Sequence, residues 1–230
     1  MSEEKLMGRV LSGLGRRESA ELARRQRSRV KRPGDTAAEY IADMLPWARV
    51  ELYGQAFMKT ENLKAPMQAM EEGISSIEDR IVMQKAVFLL EKLLHISEFG
   101  AFHYCWDIYG PYSPSLASAA GELVLAEAQG EDVRGAVAKV SKTVKNEVDR
   151  AVSVLDKMSR VPPGLSGMTQ DVWMELLACI LFLREGKISG NGDEPEKVKD
   201  MLNESGKSFD LDQVQVALRA LKPLSLDQRV

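Results

Sequence analysis

The residues with reactive side chains and suggestive spacing are few: His95, His103, Cys105 and Cys179. His103 and Cys105 lie two apart in Phe102-His103-Tyr104-Cys105-Trp106-Asp107-Ile108. If that run is extended, they share one face of the strand, opposite Tyr104 and Trp106. A thiol beside an imidazole is the start of a cysteine nucleophile, which also needs a group to orient the base. The same two side chains are half of a zinc site, which needs three or four converging ligands. No second pair with ligand spacing occurs, so no metal is expected. Cys105 is expected to be a buried thiol among aromatic residues. Gly186, Gly190 and Gly192 lack the Lys-Ser/Thr ending of a phosphate loop. Glu71-Glu72 and Glu131-Asp132 fall at helix starts or in linkers, where solvation and the helix dipole account for them. The reading is of a chain without catalytic residues or a cofactor, whose work is recognition.

Recognition chemistry is concentrated at the N-terminus. Residues 1–34 hold ten Lys/Arg and four Asp/Glu, a charge of +6, while the other 196 residues carry −9. Arg16, Arg17, Arg24, Arg25, Arg27, Arg29, Lys31 and Arg32 could neutralise phosphates, in binding that weakens steeply with salt. The arm holds no aromatic residue, so stacking on single-stranded bases is not suggested. Nucleic acid, an acidic protein and the acidic body itself are all open as its contact. Lys139, Lys142 and Lys145 form a second basic set, spaced by three along an expected helix. They are either its solvated face or a phosphate contact.

Composition sets the frame for these sites. At 230 residues, 44% hydrophobic and 28% charged, the chain has ordinary globular composition. No apolar run approaches the roughly 20 residues that span a bilayer, and no signal peptide is read at the N-terminus. Two cysteines are expected to stay reduced, in a cytoplasmic protein with no membrane contact. Oligomerisation is open.

The elements that must hold these residues are mostly helical. Asp35 or Thr36 can cap a helix through Leu45, which Pro46 stops or bends. Trp47–Phe57 fits helix or strand. Residues 59–74 read as a linker around Pro66 and Gly73. Ser76 caps a helix that is apolar on most sides, from Ile77 to Leu94, and therefore central. Residues 102–108 follow with the strand period, in need of a partner that the sequence does not place. Tyr109-Gly110-Pro111-Tyr112-Ser113-Pro114 is a tight turn. Ser113 caps the next helix, with Leu116, Ala117, Ala120, Leu123 and Val124 as its buried stripe and Gly130 at its end. Val133, Val137, Val140, Val144, Val148, Ala151, Leu155 and Met158 are spaced 4, 3, 4, 4, 3, 4 and 3, which predicts one long helix over 131–158. Helices are expected after Thr169, after Asp193 or Glu194 with Pro195, and after Asp210 or Asp212. The division is a basic arm at 1–34, a helical extension and linker at 35–74, a helical domain at 75–222 and a tail at 223–230.

The order of helix, aromatic strand, Tyr-Gly-Pro-Tyr-Ser-Pro and helix resembles the Panacea domain of SocA-type antitoxins and its prokaryotic relatives. Gln84 and Lys85 match its "QK" helix; Tyr109, Gly110, Pro111 and Tyr112 match its "YGP" turn. Trp173-Met-Glu-Leu-Leu-Ala178 also looks like those relatives. The likeness covers roughly residues 75–222. It implies a compact, mainly α-helical domain with a small β element, non-enzymatic, that binds protein partners in a toxin-neutralising or defence-related complex. The matched residues read as scaffold: Pro111 fixes φ, Gly110 permits a close turn, and Trp106, Tyr109 and Tyr112 can bury large areas. A hydrogen bond from Gln84 or Lys85 to the strand or turn is expected, since both are polar in an apolar helix. The alternative reading is a nucleic-acid-binding protein that uses the basic arm.

Overall fold

Caps predicted from single polar residues set several of the helix starts, among them those at Thr36, Ser76 and Ser113. The computed structural model describes residues 36–96, 101–165, 167–187 and 194–224. The basic arm at 1–34 and residues 188–193 lie outside the described residues. Thr36 caps α1 (Ala37–Ala42): its hydroxyl accepts from Glu39 N at 3.2 Å, and the Glu39 carboxylate accepts from Thr36 N at 2.8 Å. Pro46 then opens α2 (Pro46–Phe57), at the first helical position where no N–H is needed. The ambiguous run from Trp47 is thus helical.

Residues 59–74 are not a linker. They contain α3 (Lys64–Glu71), and the segment before it is pinned to the body. Asn62 donates to Asp156 twice, from its N to the carboxylate at 2.9 Å and from Nδ2 to the backbone O at 3.1 Å. Leu63 and Met67 are buried, and one apolar cluster runs from Ala37 to Leu221. No boundary separates 35–74 from the rest of the core.

Ser76 and Asp79 form the expected box at the start of α4 (Ile77–Leu93), with bonds of 2.9 and 3.1 Å. Ten residues of α4 are buried, so it lies at the centre. The strand is shorter than expected. β1 (Cys105–Asp107) pairs antiparallel with β2 (Gly110–Tyr112), with Trp106 opposite Pro111. The missing partner strand is the Tyr-Gly-Pro-Tyr motif itself. The chain reverses at Ile108-Tyr109 rather than over Tyr109–Pro114, because Gly110 takes φ +78° as the first residue of β2.

Ser113 accepts from Leu116 N at 3.1 Å and Pro114 is the first residue of α5 (Pro114–Ala128). The predicted long helix is two. α6 (Val133–Ala138) ends at Lys139, and Ser141 caps α7 (Lys142–Ser159). All eight stripe residues are still buried; both helices turn the same face to the core. Trp173, in α8 (Gln170–Lys187), donates its indole N–H to Met158 O at 2.7 Å and fixes the α7–α8 connection. α9 (Pro195–Glu204) and α10 (Leu211–Ala220) pack on α8, followed by a 3-10 turn at Lys222–Leu224. The fold is mainly α, with ten helices and one two-stranded sheet among the described residues. No helix among them is long and apolar enough to cross a membrane.

Candidate interaction site

The motif residues are brought together on the inner side of the hairpin. Gln84 of α4 spans it twice: its Nε2 donates to Ser113 O at 3.3 Å and its Oε1 accepts from Ser113 N at 3.1 Å. Lys85, 1% exposed, donates to Pro111 O at 2.6 Å. The bond expected of these two polar residues is present in both. Gly110 and Pro111 are buried. A Cβ on Gly110 would stand 2.3 Å from Cys179 Sγ of α8, so only glycine lets β2 lie this close. Trp106 is half-buried against Phe182, with ring centroids 6.0 Å apart. Tyr112 is half-buried, but Tyr109 at the tip is 44% exposed. On the far side Lys207 holds the tip: it donates to Ile108 O and pairs with Glu175 at 2.5 Å. Sequence reading missed Lys207, which lies 99 residues away in the chain from its contact.

Burial pulls the Lys85 ammonium from an ordinary 10.5 down to about 8. It pushes the Cys179 thiol from 9.0 up to about 12. Between those values for Lys85 the unfolded chain holds a proton that the folded chain does not, so its contribution to stability rises with pH. Cys179 acts in the opposite direction above its unfolded value of 9.0, because the folded thiol keeps its proton. Between about pH 8 and pH 9 wild type should therefore gain stability relative to Lys85→Met. Urea unfolding at both pH values measures it; parallel changes in the two proteins would refute this origin.

The other predicted residues do not converge. Cys105 is exposed, in contrast to the buried thiol expected, because its strand position faces outward; Cys179 is the buried one. His103 shares that outer side and His95 is exposed past the end of α4, with φ 54°. Among the described residues no group of three or more His, Cys, Asp or Glu could hold a metal ion. Lys139, Lys142 and Lys145 do not share one helix: Lys139 ends α6 and Lys142 opens α7. Lys145 donates to Ala138 O at 3.1 Å, where it satisfies a carbonyl at the end of α6. Arg16, Arg17, Arg24, Arg25, Arg27, Arg29, Lys31 and Arg32 lie outside the described residues.

What the hairpin and Gln84 do wall is an apolar cavity of about 590 Å³. It opens between α2, α3, α4, the hairpin and α5, with Phe57, Met67, Met83, Tyr112 and Leu116 among its lining. Ile77, 55% exposed, and Tyr109 stand at its edge. Ala117 and Ala120 carry the lining onto α5. The outer face of α5 continues it. Val124 and Leu125 are 63% and 60% exposed, next to exposed Ala117, Gly121 and Ala128. The expected buried stripe was wrong at Ala117 and Val124; Leu116, Ala119, Leu123 and Ala126 face inward instead. The signal was available. Leu123-Val124-Leu125 spans about 200° of a helix, too wide an arc to bury on one side. Glu122 and Glu127 flank the open face, and α5 carries no Lys or Arg. Around the corner the Glu71 carboxyl sits above the usual carboxylate range, through its burial first and the charge of Glu51 second, with Glu127 adding.

No family model, curated protein or solved structure matches this chain.

Proposed function

We propose that the chain is a non-enzymatic protein-interaction module that binds an apolar, amphipathic segment of a protein partner on the outer face of α5 and the adjoining cavity. The exposed pair Val124-Leu125, continuous through Ala120 with the cavity, carries this reading. An apolar helix face edged by acids is the kind of surface that takes a helix in a groove. The likeness of Gln84-Lys85 and Tyr109–Tyr112 to Panacea-type antitoxins gives the reading its setting: a toxin-neutralising or defence-related complex inside a prokaryotic cell. The matched motif serves it as scaffold, because its polar groups are spent within the fold.

Affinity purification of the full chain from native extract, beside Leu125→Asp, tests the proposal. Leu125 is exposed, so the variant should unfold within about 0.5 kcal/mol of wild type. A protein retained in stoichiometric amount by wild type and lost by Leu125→Asp is expected. Retention of the same protein by both would contradict the assignment of the face. The nucleic-acid reading rests on residues 1–34 alone, since the Lys139 set is divided. Duplex DNA binding that is steep in salt and lost with the arm's arginines would favour it.

A further inference from the structure

We propose that the cavity between α2, α3, α4, the hairpin and α5 is a binding site for a free, single-chain amphiphile with an anionic head, of the fatty-acid class, with its chain inside and its head at Arg80. This goes beyond the interaction face. It needs the cavity and not Val124 or Leu125, although ligand and partner would share the space beside Ala117 and Ala120. At about 590 Å³ the cavity has the size of a small-molecule site, which runs from about 300 to 1,000 Å³. Its wall is hydrocarbon and thioether: Phe57, Met67, Met83, Val87 and Leu116 all line it and all belong to the core. Each methylene of a chain laid against that wall is taken out of water. Methionine makes the wall adjustable. Met67 and Met70 of α3 and Met83 of α4 line the cavity, and an unbranched thioether adapts to chains of differing length and bend. Gly54 of α2 lets Met67 lie against the helix backbone, since a Cβ on Gly54 would stand 2.8 Å from Met67 Cε.

The charged residues select the head. Three line the cavity: Arg80, Lys85 and Asp107. Lys85 is buried and donates to Pro111 O at 2.6 Å, and the charges of Glu175 and Asp107 act on its ammonium. Asp107 Oδ1 also accepts from Ile108 N at 2.7 Å. Arg80 is the cation left over. It is exposed, its Nε donates to Ser76 O at 3.2 Å, and no carboxylate among the described residues forms a salt bridge with it. It lies one turn beyond Ile77, at the edge of the cavity. A carboxylate head there can take two guanidinium N–H groups in parallel, a geometry that a cationic head cannot use.

Isothermal titration of the full chain with dodecanoate and with dodecyltrimethylammonium, both below micelle formation, tests the site, because the chains are equal and the heads opposite in charge. Dodecanoate should bind at one per chain, several-fold more tightly than the ammonium. Ala117→Trp puts a large side chain over the cavity from an exposed position and should lose most of the binding of both. Ala120→Phe fills the same space and takes its place if Ala117→Trp does not fold. Arg80→Glu should remove the preference for dodecanoate and keep the binding of the chain. Leu125→Asp should bind dodecanoate as wild type does. No binding by wild type would overturn the ligand site and leave the face of α5 as a partner surface. Undiminished binding by the folded cavity-filling variant would overturn the cavity as the site. Equal affinity of wild type for the two heads would overturn the anionic class and the role of Arg80. Loss of dodecanoate with Leu125→Asp would move the chain onto the outer face of α5, and overturn the cavity as its site.

Discussion

Gly110→Ala should lose about 3 kcal/mol of stability, read as a shift of the urea unfolding midpoint. Two costs add at this residue. Its φ of +78° is one that side chains with a Cβ adopt at a cost of about 1–2 kcal/mol. The new methyl would also stand 2.3 Å from Cys179 Sγ, on a buried helix that cannot step back; overpacking of that kind costs about 1–3 kcal/mol. Cys179→Ala in the same chain should recover the steric part and leave the backbone part. A Gly110→Ala protein as stable as wild type would remove the claim that β2 is held against α8 by this close approach.

Glu91→Leu should cost about 3–5 kcal/mol, the range for removing one member of a buried ion pair. Glu91 and Arg49 are 1% and 5% exposed and meet at 3.0 Å. The other Glu91 oxygen accepts from Phe102 N at 3.0 Å, and Arg49 also donates to Ala42 O at 3.1 Å. One carboxylate thus ties α4 to α2 and to the segment that leads into β1. Burial raises the Glu91 pKa even though Arg49 opposes it, so the pair is held in place by its whole set of bonds. Replacing both partners with apolar residues should cost less than Glu91→Leu alone, because no buried charge is then stranded. A double-mutant cycle on unfolding free energies measures the coupling; additive losses would contradict it.

Both predictions concern contacts that local patterns hide, and the same division runs through the whole chain. Caps at Ser76 and Ser113 were legible, and the helix starts at Thr36 and Glu194-Pro195 to within one residue, because each depends on a few neighbouring residues. The bonds of Gln84 and Lys85 were legible because a polar side chain in an apolar helix needs a partner. Apolar spacing over 131–158 predicted burial correctly and continuity wrongly. Spacing reports which face is inside, and α6 and α7 keep that face across the break at Ser141. Residues 59–74 looked like a linker because their order comes from elsewhere, through Asp156 and Gln170. The Lys207 contact with Ile108 O had no local sign at all. The open face of α5 was the costliest miss. Helical spacing with Leu116, Ala117, Ala120 and Leu123 places Val124 inward, but the stripe that meets the core is Leu116, Ala119, Leu123 and Ala126, rotated away from Val124.

The scaffold reading of the Tyr-Gly-Pro-Tyr hairpin and the recognition reading of α5 form one account. Gln84, Lys85 and Lys207 bond to the hairpin's backbone, and Lys207 pairs with Glu175. Outward of them lie a mainly apolar cavity, Ile77 and Tyr109, and beyond them Val124 and Leu125. Amide exchange of the full chain with and without its captured partner tests this most directly. The account predicts slowed exchange over Pro114–Ala128 and beside the cavity at Met70 and Ile77, with Lys139–Lys145 unchanged. Slowed exchange at Lys139–Lys145, with Pro114–Ala128 unaltered, would contradict it.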